Sequence, residues 1–423
     1  MSGSGAALEA GAGPASAGRR TADGERAAQA EAAPRARPLT GRASLVVRWR
    51  AMSRAAIRMM FHGKLKMIGT LSGVVFAVIL SNQQAGTFLG LLRKNTMLVD
   101  NAGADLWVMP PSAAQIQAGP TLPDAALMQA RTTPGVAWAE PLLFGGGTVK
   151  RQDGGSEAVQ ILGVRLPAMK GGPWNVVAGS KESLGQPDTM IFEDSQRDKL
   201  GGMNLGSVRE LNGHKIRAGG FTWGLIPFGP SFAFAEYDLA RTLLHVEPYR
   251  VSYVLAGVSP GHDPEAVAVE LQRRVPEARV MTARALRAST IGFVLTRTPI
   301  GLTFGTATLF GLVVGFVIVA LTMFSAVIDN LREFGTLKAI GATNGDLAIL
   351  LLVQSVTYAI LGSLVGLAVV SAMANGIRSA QLALILSPQL LGGTVIAMLL
   401  LCTFASSLSL LRLRKLEPAM VFR

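Results

Sequence analysis

Four long stretches of this chain carry no charged residue: 67–92, 299–328, 347–377 and 379–411. Each exceeds the roughly 20 residues that cross a bilayer as a helix. The last two are separated only by Arg378, so they read as a helical hairpin turning near Ser387 and Pro388. The pattern predicts transmembrane helices at 67–92, 298–328, 347–377 and 388–411. The first is too long for the core of a secretory signal and is expected to be retained.

Segment 93–297 has a different rhythm, with strand-like and helix-like runs interleaved. Residues 137–149 and 158–164 read as strands around an Asp153-Gly154-Gly155 turn. The run SVRELNGHKIRAGG reads as a hairpin tipped by Asn212-Gly213, a dipeptide that accepts the backbone of a two-residue turn. VSYVLAGV reads as another strand, followed by helical spacing over 263–275 and a short strand at Arg279–Thr282. No internal repeat is visible. The expected fold class is therefore membrane α-helical with four transmembrane helices: one, then a large extracytoplasmic α/β domain, then three.

Charge orients this arrangement. Residues 1–66 hold 12 Lys/Arg against 4 Asp/Glu, 93–298 hold 21 against 19, and 412–423 hold 4 against 1. Short positive flanks stay on the cytoplasmic side. Both termini and segment 329–346 are thus expected in the cytoplasm, and 93–297 in the periplasm of a multi-pass inner-membrane protein. The net charge of +13 reads as topology and contact with anionic lipid, not as nucleic-acid binding. At 49% apolar and 16% charged residues, the composition agrees with a membrane protein.

Residues 1–42, rich in Ala, Gly, Arg and Pro, lack the large apolar side chains of a core and are expected to be a disordered tail. Segment 43–66 is expected to form an amphipathic interfacial helix. Arg50, Arg54 and Arg58 recur every four residues, and Leu45, Trp49, Met52, Met59 and Met60 supply apolar surface.

Conventional reaction chemistry is hard to place. The spans contain no Asp, Glu, Lys, Arg or His, which argues against a proton- or ion-coupled transporter. His62, His214, His245 and His262 lack ligand spacing, so no metal site is expected. The single cysteine, Cys402, lies in the fourth span and reads as a packing residue. No G-x-x-x-x-G-K-[ST] phosphate loop occurs, so any ATPase is another chain. What the spans do hold is small-residue pairs at four-residue spacing: Gly69/Gly73, Gly86/Gly90, Gly301/Gly305, Gly311/Gly315 and Gly362/Gly366. Such pairs let helix backbones approach closely. Gly69, Gly73, Gly301, Gly305, Gly311 and Gly315 are the candidates for tight helix packing and a homodimer seam.

One short polar island, NLREFGTLKAIGATNGD, separates the second and third spans. It can form about three helical turns that Gly341 stops, with Thr343 or Asn344 capping the next helix. Phe334, Leu337 and Ile340 give it an apolar set, and Arg332, Glu333 and Lys338 a charged rim, the make-up of a docking knob.

REFGTLKAIGAT resembles the coupling segment, REIG-x-L-R-A-[LIV]-G-A, of the FtsX/MacB-type ABC permease family. The ending EPAMVFR is similar to the family's Pro-Ala-x-x-[FLV] close. KLKMIGTLSGVVFAVILSNQQAG resembles the first span of its DevC-like branch. The order of one span, a large outer domain and three spans matches as well. The resemblance covers residues 43–423, is specific at 330–343 and is loose in the outer domain. It implies a permease that is not itself an enzyme, docked on a separate ATP-binding-cassette subunit that carries the ATP and Mg. The docking role would fall on Arg332, Glu333, Phe334, Gly335, Leu337, Lys338, Ala339, Gly341 and Ala342. The family implies a homodimer or a pair of different permeases, and its MacB-like members imply transmission of ATP-driven motion to the outer domain, beside a periplasmic adaptor and an outer-membrane channel. Export of a lipid, glycolipid or other amphiphile is the expected function. An FtsX-like transducer that activates a periplasmic cell-wall hydrolase, and a lipoprotein-extraction permease, are the alternatives. Many members carry Glu a few turns into the third span, where this chain has Gln354. MacB itself has a fused ATPase, which is missing here.

Overall fold

The computed structural model describes residues 42–62, 64–227, 229–329, 331–376 and 384–413. The expected tail at 1–42, Arg42 apart, and the EPAMVFR ending lie outside them. The described chain begins with α1 (Arg42–His62) and α2 (Lys64–Asn101). Then come β1 (Leu106–Met109), β2 (Leu122–Pro123), α3 (Ala125–Thr132), β3 (Val136–Lys150), β4 (Ser156–Val164), β5 (Val176–Gly179), β6 (Thr189–Glu193), β7 (Val208–Leu211), β8 (His214–Thr222) and β9 (Ser231–Glu236). The α/β domain is completed by α4 (Tyr237–Leu244), β10 (Arg250–Val251), β11 (Tyr253–Val258), α5 (Pro264–Arg274), β12 (Arg279–Thr282) and α6 (Ala283–Arg297). The last elements are α7 (Pro299–Asp329), α8 (Leu331–Ala339), α9 (Asn344–Gly376) and α10 (Pro388–Leu413).

Among the described residues, α2, α7, α9 and α10 are the four helices long and apolar enough to cross a membrane. The first differs from its sequence boundary. Its helix does not end at Leu92 but continues through Arg93 and Lys94 to Asn101. No Pro interrupts this stretch, and Leu98 and Val99 of its last turns are buried in the core of the α/β domain. One continuous helix thus runs from the bundle into the core of the α/β domain. On the return, α6 leads from β12 towards α7, with a break at Thr298 before Pro299. Arg287 of α6 pairs with Asp100 of α2 at 3.5 Å, tying the two stalks together.

The sheet of the α/β domain runs in the order β12-β1-β11-β3-β4-β9-β6-β8-β5. The hairpin strand β7 bridges β8 to the far end of β3, pairing Val149 with Leu211. Strands β3, β4, β9, β6, β8 and β7 therefore close into a ring. Val159, Ile161, Phe192, Leu211, Ile216 and Phe221 are buried in its core cluster. Beyond the ring, β3, β11, β1 and β12 form an open wing packed on both faces, with β1 and β11 the most deeply buried. Alternation along the strands sends Leu106, Val108, Val254 and Ala256 into the core of α3 and α5. Trp107, Met109, Tyr253 and Leu255 go to the opposite face, against the end of α2 and Leu286 of α6. Edge-on aromatic pairs join this face to the ring: Trp107–Tyr253 at 6.2 Å, Phe144–Tyr253 at 6.4 Å and Phe144–Phe232 at 6.5 Å between centroids.

In the span bundle, glycines set the closest approach. A Cβ on Gly362 would meet Val74 Cγ1 at 2.5 Å, and one on Gly366 would meet Val78 Cγ1 at 2.7 Å. The pair thus seats α9 on α2. Cys402 is buried among Val74, Val78, Tyr358 and Met398.

Candidate functional site

The polar island folds as α8, and local chemistry explains both its ends. Glu333 lies in the first turn and Lys338 in the last, each complementing the helix dipole. At the end, the Gly341 N–H donates to the Lys338 carbonyl at 3.0 Å and the Ala342 N–H to the Leu337 carbonyl at 2.9 Å. This closing motif requires a left-handed residue, and Gly341 supplies it with φ +103°. Thr343 then caps α9. The Asp346 N–H donates to Thr343 Oγ1 at 3.3 Å, and the Thr343 N–H donates back to Asp346 Oδ2 at 2.9 Å. It is a capping box with Asp in the usual place of Glu.

Tertiary contacts divide α8 into two sides. Phe334 is 1% exposed, packed with Ala56 of α1, Val327 of α7 and Leu347, Leu350 and Leu351 of α9. Gly335 is also buried. Leu337 packs partly against the same cluster. Arg332, Glu333, Thr336 and Ala339 are exposed, and Ile340 is 85% exposed. Gly341 is exposed, while Lys338 and Ala342 are half-buried. The sequence reading placed Phe334 with Ile340 on one outward apolar face. The structure corrects this, because six residues at 100° each put Ile340 about 120° around the axis from Phe334. Phe334 anchors the helix, and Ile340 is the apolar residue left outside.

Two more contacts, absent from the sequence reading, tie the end of the island and the third span to α1. Arg48 forms an ion pair with Asp346 and lies 3.4 Å from Thr343 Oγ1. Gln354 donates to the Ala56 carbonyl at 3.4 Å. The T-x-x-D capping signal is visible in the sequence, but nothing local announces Arg48 as its partner. On α1 itself, Met59 and Met60 pack against the other helices while Trp49 is exposed. The apolar positions of this helix therefore serve two surfaces.

The candidate glycines are spread out. Gly311 and Gly315 face α2, where added Cβ atoms would lie 3.8 Å from Leu80 Cγ and 3.1 Å from Ala77 Cβ. Gly301 packs against the backbone at Val294 and Leu295 of α6. Gly73 is buried within the chain. Gly69 is exposed, and a Cβ there or on Gly305 would meet no atom within 4 Å. Among the described residues, no group of His, Cys, Asp or Glu is gathered as a metal site.

At the outer end of the stalk, Glu193 is fully buried. Its carboxylate accepts from Ser195 Oγ at 2.9 Å, Thr222 Oγ1 at 3.2 Å, the Gly224 N–H at 2.7 Å and the Leu225 N–H at 3.0 Å. Lys94 of α2 reaches the carbonyl of Ile226 in the same loop at 3.3 Å. The ring is thereby bonded to the helix that descends into the membrane.

A four-span bundle with a seated polar helix at one end and an α/β domain carried on two stalks at the other defines a multi-pass membrane protein with a large α/β domain. Residues 305–418 match the family described as FtsX-like permease C-terminal. Two solved structures are similar in part. The extracellular domain of the ABC-type transporter YknZ from Gram-positive bacteria is 16% identical, covering 42% of this chain and 98% of that one, with a TM-score of 0.33. The periplasmic region of MacB from Actinobacillus actinomycetemcomitans is 10% identical, covering 45% and 94%, with a TM-score of 0.35. Comparison with curated proteins gives no match.

Proposed function

We propose that this chain is the membrane subunit of a mechanotransmission-type exporter. A separate ATPase subunit, which holds the ATP and Mg, docks on the outward side of α8. The observation that carries this reading is the division of that helix. Phe334 locks one side into the bundle, so a push on Arg332, Glu333 or Ile340 moves α1, α7 and α9 with it rather than bending a loose loop. The unbroken α2 gives the motion a path to the outer domain.

In this reading the protein works as a homodimer in the inner membrane, with both termini cytoplasmic. Its outer domain acts on a lipid, glycolipid or other amphiphile beside a periplasmic adaptor and an outer-membrane channel. The spans offer no ionisable relay, which suits work done on cargo outside the bilayer core. Affinity purification from native membranes with mass spectrometry tests the reading. An ATP-binding-cassette subunit is expected with the wild type and not with Glu333→Lys/Ile340→Asp, a variant that leaves Phe334 in place. Retention of the ATPase by that variant removes α8 as the docking element. A co-eluting adaptor supports export, whereas a cell-wall hydrolase in its place would replace export with signalling.

A further inference from the structure

The two stalks enter the bilayer as neighbours, and each carries an arginine where its charge-free run begins. Arg93 follows the run that ends at Leu92, and Arg297 precedes the run that starts at Pro299, with only Thr298 between. Packing sets the two at one depth. Phe88 of α2 stacks on Phe304 of α7 with 6.0 Å between centroids. From that pair, five residues of α2 climb about 7.5 Å to Arg93, and seven residues of the other stalk climb about 10 Å to Arg297. Both arginines therefore sit at the lipid–water boundary on the side of the α/β domain.

Helix geometry brings them to one seam. Arg93 lies seven residues before Asp100, about two full turns, and so on the same face of α2. That face looks onto α6, where Asp100 pairs with Arg287 at 3.5 Å. Arg297 ends α6, about 15 Å below Arg287. Both arginines are exposed, and neither side chain has a hydrogen bond or ion pair among the described residues. Lys94, the next cation, is already held at the Ile226 carbonyl. No carboxylate is close in sequence. Asp100 is the first on α2 and is taken, and 283–328 contain no Asp or Glu. Apolar surface begins directly below. Leu89, one turn under Arg93 on its face, is exposed, and so are Leu295 and Leu302 beside Arg297.

We propose that this seam binds an anionic phospholipid of the leaflet beside the α/β domain, with Arg93 and Arg297 on its phosphate and the exposed leucines against the first methylenes of its chains. Guanidinium donors match phosphate oxygens in pairs, and the two arginines stand at the depth where lipid phosphates lie. A second copy of the chain does not supply the anion from its spans or stalks, which bring the same two arginines and no unpaired carboxylate to that depth. The site is separate from α8 and does not depend on an ATPase or on export.

The full chain is reconstituted in phosphatidylcholine vesicles with a trace of phosphatidylglycerol, or of phosphatidylcholine, carrying a diazirine near the top of one acyl chain. After irradiation, labelled peptides are mapped. Phosphatidylglycerol is expected to label 86–93 and 295–305 well above phosphatidylcholine. Arg93→Gln and Arg297→Gln should each lower that preference about five-fold, the most a single exposed ion pair supplies. The double variant should bring it to the phosphatidylcholine level. Both side chains are exposed, so an unchanged melting temperature separates lost binding from lost structure. Salt tests the wild type without any substitution. Going from about 0.01 M to 1 M shortens the screening length from about 30 Å to about 3 Å and should erode the preference. Equal labelling by the two lipids overturns the proposal, as does a preference indifferent to the variants or to salt. Displacement of the label by soluble glycerol 3-phosphate also overturns it, making the seam a site for a free anion. So does a photoreactive amino acid at Leu302 that couples to a second copy of the chain and yields no lipid adduct.

Discussion

Replacing Phe334 with Ala asks whether α8 is held by its buried side. The ring is 1% exposed among Ala56, Val327, Leu347, Leu350 and Leu351, so truncation opens a cavity where three helices and α8 converge. Deleting a fully buried Phe side chain costs about 3–5 kcal/mol. At about 1.4 kcal/mol per tenfold, α8 would open some two to three and a half powers of ten more often. Hydrogen exchange of the detergent-solubilised full chain reads this directly, as faster exchange across 331–342 with the spans still protected. Ile340→Ala is the internal control. At 85% exposure it should change stability by less than about 0.5 kcal/mol. Under the proposed function, Ile340→Ala weakens ATPase binding without loosening α8, and Phe334→Ala loosens α8 first. Unchanged exchange at 331–342 in Phe334→Ala would refute the anchoring argument. So would equal loosening by both variants.

Three further outcomes are expected. Asp346→Ala should lower stability by about 1–2 kcal/mol through loss of the capping box, whereas Arg48→Ala, half-exposed at the other end of the ion pair, should cost less than about 1 kcal/mol; thermal melting of the two variants compares them, and an equal loss would mean the ion pair dominates the cap. Gly366→Ala should cost about 1–3 kcal/mol by forcing α9 off Val78, and Val78→Ala should recover most of it; no recovery would show that the close approach lies elsewhere. Gly69→Leu should leave the fold intact, because its Cβ meets open space, so weaker crosslinking between copies would place this face in a dimer contact, and an unchanged crosslinking yield would exclude it.

Much of the architecture is local in origin and therefore readable from the sequence. A span is an uninterrupted run of apolar residues, because bilayer thickness fixes its length and every backbone hydrogen bond is met inside its own helix. Asn212-Gly213 turns its hairpin, and Gly341 ends α8, because each supplies a backbone angle that few residues adopt. The island was visible as charge between two greasy runs. Other features come from distant partners. Arg48 and Asp346 lie 298 residues apart, and only the packing of α1 across the bundle brings them together. The ring of the outer domain closes because β7 reaches two strands, a pairing that no alternation of side chains specifies. Glycine pairs look alike in sequence, yet Gly362/Gly366 seat a helix while Gly69 faces outward. Which side of a short helix is buried depends on the neighbours that cover it, and α1, α7 and α9 turned Phe334 in and left Ile340 out.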